Sequence, residues 1–563
     1  MRRVAPALLI WAFLPGSPIP AAVAQTDPSP AAIDSIFSRY DRTSVPGCAL
    51  GVFRNDRIVS ARGYGMADLN QGVPITPETV FYIASTSKQF TAMSIALLAE
   101  EGKLALTDPV RKWIPELPAY ADRITIANLV HHTSGLRDYL GLWALSGRSV
   151  ADEIPEEVAL DLIRRQQALD FEPGSQYSYS NSGYFLLSQI VKRASGRSLR
   201  DYAEARIFGP LGMAHTQFHD DNTRIVPRRA EGYQPAGPGR FQIVRTSFAL
   251  VGDGGLLTTI EDLLKWDANF FANRLGRGDQ GLIDLVTTAP RASLADGTPQ
   301  RYAFGLMPGT YRGLPVVEHG GSFIGFRAQL LRFPGEHFSV AILCNDYTAA
   351  PEQLARQVAD RYLADRLAPV AGAVAGGTVR VAPDRLARWA GRYEVLPGIV
   401  ATVAVETGAL TLAVVGQPVP IAPSSDSTFL VAGGPDALEF AMDSAGPTLL
   451  ARGFGMTEPV ARLAPPVSLT PAAAARFAGR FVSEELDTWS VVEARGDTLR
   501  IRVRWDVWRP LEHVGPDRFI ANGGRILFER DRTGRVTGFT VSQARTRNVR
   551  FRRAEGAPVR SLR

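Results

Sequence analysis

The chain is short of cysteine, lysine and histidine, with two, five and seven of them among 563 residues. Two cysteines cannot build a disulfide scaffold. Neither sits in a Cys/His/Asp cluster with ligand spacing, so no zinc site or other metal is expected. Cys48 (in GCALGVF) and Cys344 (in VAILCND) stand in apolar, strand-like runs, where cysteine packs as a small hydrophobe. We read both as buried thiols, with a disulfide as the alternative if the two strands are neighbours. No apolar run reaches the about 20 residues of a membrane span, so no membrane-spanning segment is expected. A G-x-S-x-G motif is also missing, which excludes the nucleophile elbow of α/β-hydrolases. The formal net charge of +6 is small for this length. The basic excess lies in Val467–Arg563, with 19 Arg against 11 acidic residues, and many of these arginines alternate with apolar residues, as in Leu499–Arg504. That is the outer face of a strand, and with no binding motif present a nucleic-acid partner is not expected. The five lysines, Lys88, Lys103, Lys112, Lys192 and Lys265, are few enough that each merits inspection.

The remainder is an ordinary globular composition, 45% hydrophobic and 21% charged. The length predicts about three domains. Met1-Arg2-Arg3, the apolar run Val4–Leu14 and the small-x-small Ala22-Val23-Ala24 have the layout of a secretory leader cleaved near Ala24/Gln25. The expected location is therefore the periplasm or the medium.

From residue 25 to 368 helical and strand patterns mix. Cys48–Phe53 and Ile58–Gly63 read as a hairpin turning near Asn55-Asp56. Ser87–Glu101 reads as a helix with a strong apolar face, stopped at Gly102, and Gly183–Ala194 as a second helix ended at Gly196. Phe326–Phe333 and Phe338–Leu343 read as strands joined through Pro334-Gly335. Strands at both ends with helices between predict an α/β (α+β) domain whose terminal strands share one sheet. Residues 369–383, rich in Ala, Gly, Val and Pro, read as a linker. Beyond it, Arg388-Trp389-Ala390-Gly391-Arg392-Tyr393 matches Arg476-Phe477-Ala478-Gly479-Arg480-Phe481 at an offset of 88, and Phe440, Asp443 and Gly446 match Phe528, Asp531 and Gly534 at the same offset. We therefore expect a duplicated unit, 384–464 and 467–563. Each copy should open with a short helix and continue as an antiparallel β barrel or sandwich.

Three motifs carry chemistry. In Ser85-Thr86-Ser87-Lys88 a serine opens a helix, and a lysine three residues on shares its face within hydrogen-bond reach. Serine needs a neighbouring base, and lysine serves only when burial lowers its pKa from about 10.4 towards 7–8. Tyr179-Ser180-Asn181, just before the second helix, points a phenol and an amide the same way. His319-Gly320-Gly321-Ser322 precedes strand Phe326–Phe333, with glycines that let backbone approach a substrate closely.

In this order, S-x-x-K, Tyr-x-Asn and His-x-Gly resemble the serine β-lactamase and penicillin-binding-protein superfamily, in its branch of class C β-lactamases, D-aminopeptidases and related esterases. The segments FYIASTSKQFTAMSIALLAEEGKLALTDPV, LVHHTSGL, YSNSGYFLLSQIV, GPLGM and EHGGSFIGF carry the same likeness. The two β units resemble the layout of penicillin-recognising D-aminopeptidases. The resemblance implies a β-lactamase/transpeptidase-like catalytic domain followed by two barrel-like domains. It implies Ser85 as nucleophile, with Lys88 and Tyr179 sharing the proton transfers, and Asn181, His319 and Gly321 binding substrate. Backbone N–H groups of Ser85 and Ser322 would form the oxyanion hole, with no cofactor required. In this family LVHHTSGL is a structural turn, so His131 and His132 are left out of the site. Where many relatives have Lys-Thr-Gly, this chain has His-Gly-Gly and lacks the ammonium and hydroxyl that hold a substrate carboxylate. Aminopeptidase or esterase action on a small molecule or peptide is thus favoured over strong β-lactamase or carboxypeptidase activity. The alternatives are a promiscuous carboxylesterase and a non-catalytic, cell-wall-binding penicillin-recognising protein.

Overall fold

A computed structural model describes residues 27–554 apart from 150–151, 246, 248, 292, 296, 298, 370–378, 415–417, 432–436, 445, 453–455, 457–458, 467, 505 and 522. The expected leader and most of the linker lie outside the described residues. Asn55 and Asp56 both take positive φ (50° and 60°), the two-residue turn that matches strand twist, and join Cys48–Arg54 to Arg57–Tyr64. This hairpin ends a six-stranded antiparallel sheet. Its order is Met307–Tyr311, Leu314–Phe323, Phe326–Phe333, Phe338–Cys344, Cys48–Arg54 and Arg57–Tyr64. The first and last strands of the domain thus share one sheet, as strands at both ends with helices between predict, and lie side by side in it.

Because side chains alternate across a strand, Leu50, Val52, Val340 and Ile342 face one side with Val358 of the helix Pro351–Tyr362. Ala49, Phe53, Ala341 and Leu343 face the other, against the larger helical region. Both faces are covered, which is why Cys48–Phe53 and Val340–Cys344 are apolar at nearly every position. Cys48 lies directly opposite Cys344 in the register, and a disulfide joins them. This corrects the reading of two buried thiols. The cysteines are 296 residues apart, and only the sheet register places them face to face. The helix after Ser85 runs from Lys88 to Glu100 and is buried on every side through Leu98, rather than along one face. It is the central post of the helical region. Among the described residues no helix is long and apolar enough to cross a membrane.

Two all-β units follow. Eight antiparallel strands over 391–461 form one sheet whose first and last strands approach through a bridge between Tyr393 and Arg462. Eight more over 479–553 form a closed barrel. Short helices, Pro383–Trp389 and Pro471–Ala475, open the two units. Phe440 and Phe528 occupy the sixth strand of each and are both 4% exposed. The first unit keeps a core of its own, around Tyr393, Phe429 and Phe440. The second does not: its buried Phe477, Phe519 and Phe539 belong to one apolar cluster continuous with the catalytic domain.

Candidate active site

Ser85 lies on a 3₁₀ turn, Ala84–Ser87, that runs straight into the buried helix. The turn is tight. Ala84 holds φ 47°, rare for a residue with a Cβ, and the Ser87 hydroxyl donates to Ala84 O at 2.5 Å while accepting from Leu256 N at 3.1 Å. One helical step on, Lys88 Nζ donates to Ser85 Oγ at 3.3 Å, to Asn181 Oδ1 at 2.9 Å and to Asp253 O at 2.5 Å. The ammonium also faces the rings of Tyr179 (4.8 Å) and Tyr184 (5.5 Å). Lys88 is fully buried, and that desolvation draws its pKa down to about 7, against the pull of the Asp253 and Asp138 carboxylates. Asp253 is pushed up to about 6, first by burial, with Lys88 opposing.

Tyr179 and Asn181 arrive together at the N-terminus of the helix Asn181–Ser195. Burial raises the Tyr179 phenol well above its usual range, with the nearby Ser85 hydroxyl opposing, so it stays protonated. Its hydroxyl faces Ser85 but makes no hydrogen bond within normal distance among the described residues. The segment His131–His132 braces this turn. His132 Nδ1 accepts from Ser180 N at 3.2 Å, its carbonyl accepts from Ser178 N at 2.9 Å, and its ring lies 4.2 Å from that of Tyr179. His132 itself takes φ 58°.

Gly321 brings the strand Leu314–Phe323 against the Ser85 turn. A Cβ at this position would stand 2.1 Å from Ile83 O and 2.9 Å from Thr86 Oγ1. Ser322 follows at the exposed mouth. His319 is 4% exposed, and both ring nitrogens are held by the protein: Nδ1 donates to Gly320 O at 2.7 Å, and Nε2 accepts from Tyr302 OH at 2.8 Å. Burial, aided by the charge of Lys88, pulls His319 down to about 4, so the ring is neutral. The sequence-predicted residues Ser85, Lys88, Tyr179, Asn181, His319, Gly321 and Ser322 are thus brought to one place from three separate segments.

Four residues join them that the sequence reading did not single out: Asp138, Asp253, Tyr302 and Arg545. Asp138 Oδ2 accepts from Asn181 N (2.8 Å) and Nδ2 (2.9 Å), which turns the amide oxygen of Asn181 toward Lys88. Its Oδ1 caps the helix Tyr139–Leu145, and that cap was the one local signal it offered. Asp253 lies in Gly252-Asp253-Gly254-Gly255, where Gly252 (φ 115°) and Gly255 (φ 88°) need positive φ, a tight-loop signature legible in the sequence. Arg545 comes from the second barrel, and its Cζ sits 4.6 Å from the centre of the Tyr179 ring. Nothing in its local sequence marks it.

A family model described as Beta-lactamase matches residues 33–365. A D-aminopeptidase of Cereibacter sphaeroides is 31% identical over 524 residues, covering 90% of this chain and 96% of the relative. A D-aminopeptidase of Gluconobacter oxydans is 29% identical over 320 residues, covering 57% of this chain and 59% of the relative. Among solved structures, a D-amino acid amidase from Ochrobactrum anthropi aligns over 59% of this chain and 97% of its own, at 25% identity and TM-score 0.51. A penicillin-binding protein homologue from Pyrococcus abyssi aligns over 75% and 98%, at 24% identity and TM-score 0.55, a likeness of fold. With a family model spanning the domain built around Ser85 and Lys88, and a relative alike from the catalytic domain through both β units, the chain belongs to the β-lactamase family and is a serine hydrolase.

Proposed function

We propose that this enzyme hydrolyses an amide bond after a D-amino acid through an acyl-enzyme on Ser85, acting outside the cytoplasm. The observation that carries the reading is the placement of Lys88: its Nζ is 3.3 Å from Ser85 Oγ, buried, with a pKa drawn down to about 7. Neutral Lys88 takes the Ser85 proton as Oγ attacks the acyl carbon. The oxyanion is received by the backbone N–H groups of Ser85 and Ser322, the electrostatic term that dominates such reactions. Tyr179, protonated because buried, hands its proton to the leaving nitrogen and is replenished from the Lys88 ammonium. The C–N bond breaks, and water, activated by the same base, then cleaves the ester to Ser85. Asn181 and the backbone beside Gly321 hold the substrate, while neutral His319, fixed by Tyr302, shapes the wall.

The D-amino acid preference rests on the D-aminopeptidase and D-amino acid amidase likenesses. Export rests on the leader pattern of residues 1–24 and is supported by the Cys48–Cys344 disulfide, a bond that persists in oxidising compartments. The test is labelling with a fluorescent phosphonate followed by mass mapping. The label is expected on Ser85 and absent from Ser85→Ala; a label elsewhere, or D-aminoacyl amide turnover by Ser85→Ala, overturns the mechanism. N-terminal sequencing of secreted protein is expected to begin near Gln25.

A further inference from the structure

The strands Val536–Gln543 and Thr546–Arg553 of the second barrel form a hairpin whose turn, Ala544-Arg545, is inserted at the active site. The insertion is held by backbone. Asp138 N donates to Arg545 O at 2.9 Å, and Thr546 Oγ1 donates to Asp138 O at 3.2 Å. The fit is close enough that a Cβ on Gly141 would stand 2.5 Å from Thr546 Oγ1. Asp138 therefore grips the hairpin with its main chain and Asn181 with its carboxylate, so the turn and the substrate-binding amide form one rigid unit.

Arg545 is an exposed residue whose guanidinium lies over the Tyr179 ring and, among the described residues, has no carboxylate partner. Its charge reaches the site, where it lowers the pKa of Lys88 and opposes the rise at Tyr179. The strand that carries His319 offers no cation in its place, since that ring is neutral and both its nitrogens are engaged.

We infer that Arg545 is a specificity-determining residue that binds a carboxylate on the leaving-group side of the substrate, so that the preferred substrates are short peptides with a free C-terminus. The side follows from Tyr179, which in the mechanism above delivers the proton to the leaving nitrogen; a cation over that ring stands beside the departing group. The inference rests on that reading of Tyr179.

The experiment compares kcat/KM for D-alanyl-D-alanine and for its C-terminal amide. The wild-type enzyme is expected to favour the free acid by about two- to fivefold, the range of an exposed charge pair. The ratio should shrink as salt rises, because the pair is exposed. Arg545→Ala brings the ratio near one, Arg545→Lys keeps part of it, and Arg545→Glu inverts it. An unchanged ratio in a folded Arg545→Ala protein overturns the inference. If neither compound is turned over, the D-peptidase reading fails by itself. Calorimetry of the same pair on Ser85→Ala then decides about Arg545: tighter, Arg545-dependent binding of the acid sustains it, and no preference or no binding overturns it.

Discussion

At the scale of single residues, the charge of Lys88 sets the pH response. An ammonium cannot accept the Ser85 proton, so kcat/KM should rise with pH up to about 7 and then level. Below that point it should fall about tenfold per pH unit. Asp253 favours the ammonium, so removing its charge in Asp253→Asn lowers the Lys88 pKa further. The acid limb of the profile should therefore move to lower pH; a move to higher pH, in a rate–pH profile of the purified variant, would contradict the assignment. Ser85→Ala should lower turnover at least about a thousandfold while leaving the melting temperature within a few degrees. These residues were legible in the sequence because S-x-x-K and Tyr-x-Asn are local, each presenting its groups from a single turn. The places of Asp253 and Arg545 in the site were not, although the glycine loop around Asp253 is visible, because they meet Lys88 and Tyr179 from 165 and 366 positions away along the chain.

At the scale of elements, the distance between one strand and one turn decides the geometry of the site. The strand Leu314–Phe323 approaches the Ser85 turn only because position 321 has no side chain. In Gly321→Ala the new methyl meets Ile83 O, a backbone atom that cannot swing away. The strand must therefore retreat, at a cost of about 1–3 kcal/mol. Ser322 N retreats with it. The expected outcome is a kcat loss on the order of ten- to a hundredfold with a modest fall in melting temperature, read by steady-state kinetics and thermal unfolding. Retention of full kcat would show that Ser322 takes no part in the oxyanion hole. The strands themselves were legible as apolar runs, but their order was not: antiparallel register between segments at opposite ends of a domain leaves no trace in either segment alone. The disulfide escaped for the same reason. Replacing both Cys48 and Cys344 with alanine should cost about 2–5 kcal/mol of stability with little change in kcat, since the bond lies in the sheet and not at Ser85.

At the scale of the whole molecule, the second barrel packs against the catalytic domain with one continuous apolar core, and one buried network fixes it there. Arg137 Nη1 meets Glu485 Oε1 at 2.7 Å and Gln166 Oε1 at 2.7 Å, and its Nε meets Asp170 at 3.2 Å. The side chains of Arg137, Glu485 and Asp170 are 3%, 6% and 3% exposed. Glu485 also accepts from Gln167 N at 3.0 Å and Arg550 N at 3.1 Å, while Asp170 accepts from Arg547 N at 3.0 Å. The network thus ties the catalytic domain to the strand Thr546–Arg553 that follows Arg545. A buried pair of this kind is worth little against an apolar replacement. Losing Glu485 leaves Arg137 paired with Asp170 but takes an acceptor from Arg137 Nη1, Gln167 N and Arg550 N, at a cost of about 1–3 kcal/mol. Glu485→Ala should therefore loosen the docking rather than unfold the catalytic domain, whose own sheet and helices do not depend on it. Glu485→Gln, which keeps the shape and one acceptor, should lie between. The measurements are hydrogen exchange over residues 543–548 and the kcat/KM ratio for the free-acid and amide dipeptides. In Glu485→Ala faster exchange and a ratio falling toward one should appear together, because the hairpin that brings Arg545 to Tyr179 is held by the groups Glu485 holds. Faster exchange with an unchanged ratio would separate the two, and would mean that the hairpin stays seated through Asp138 alone.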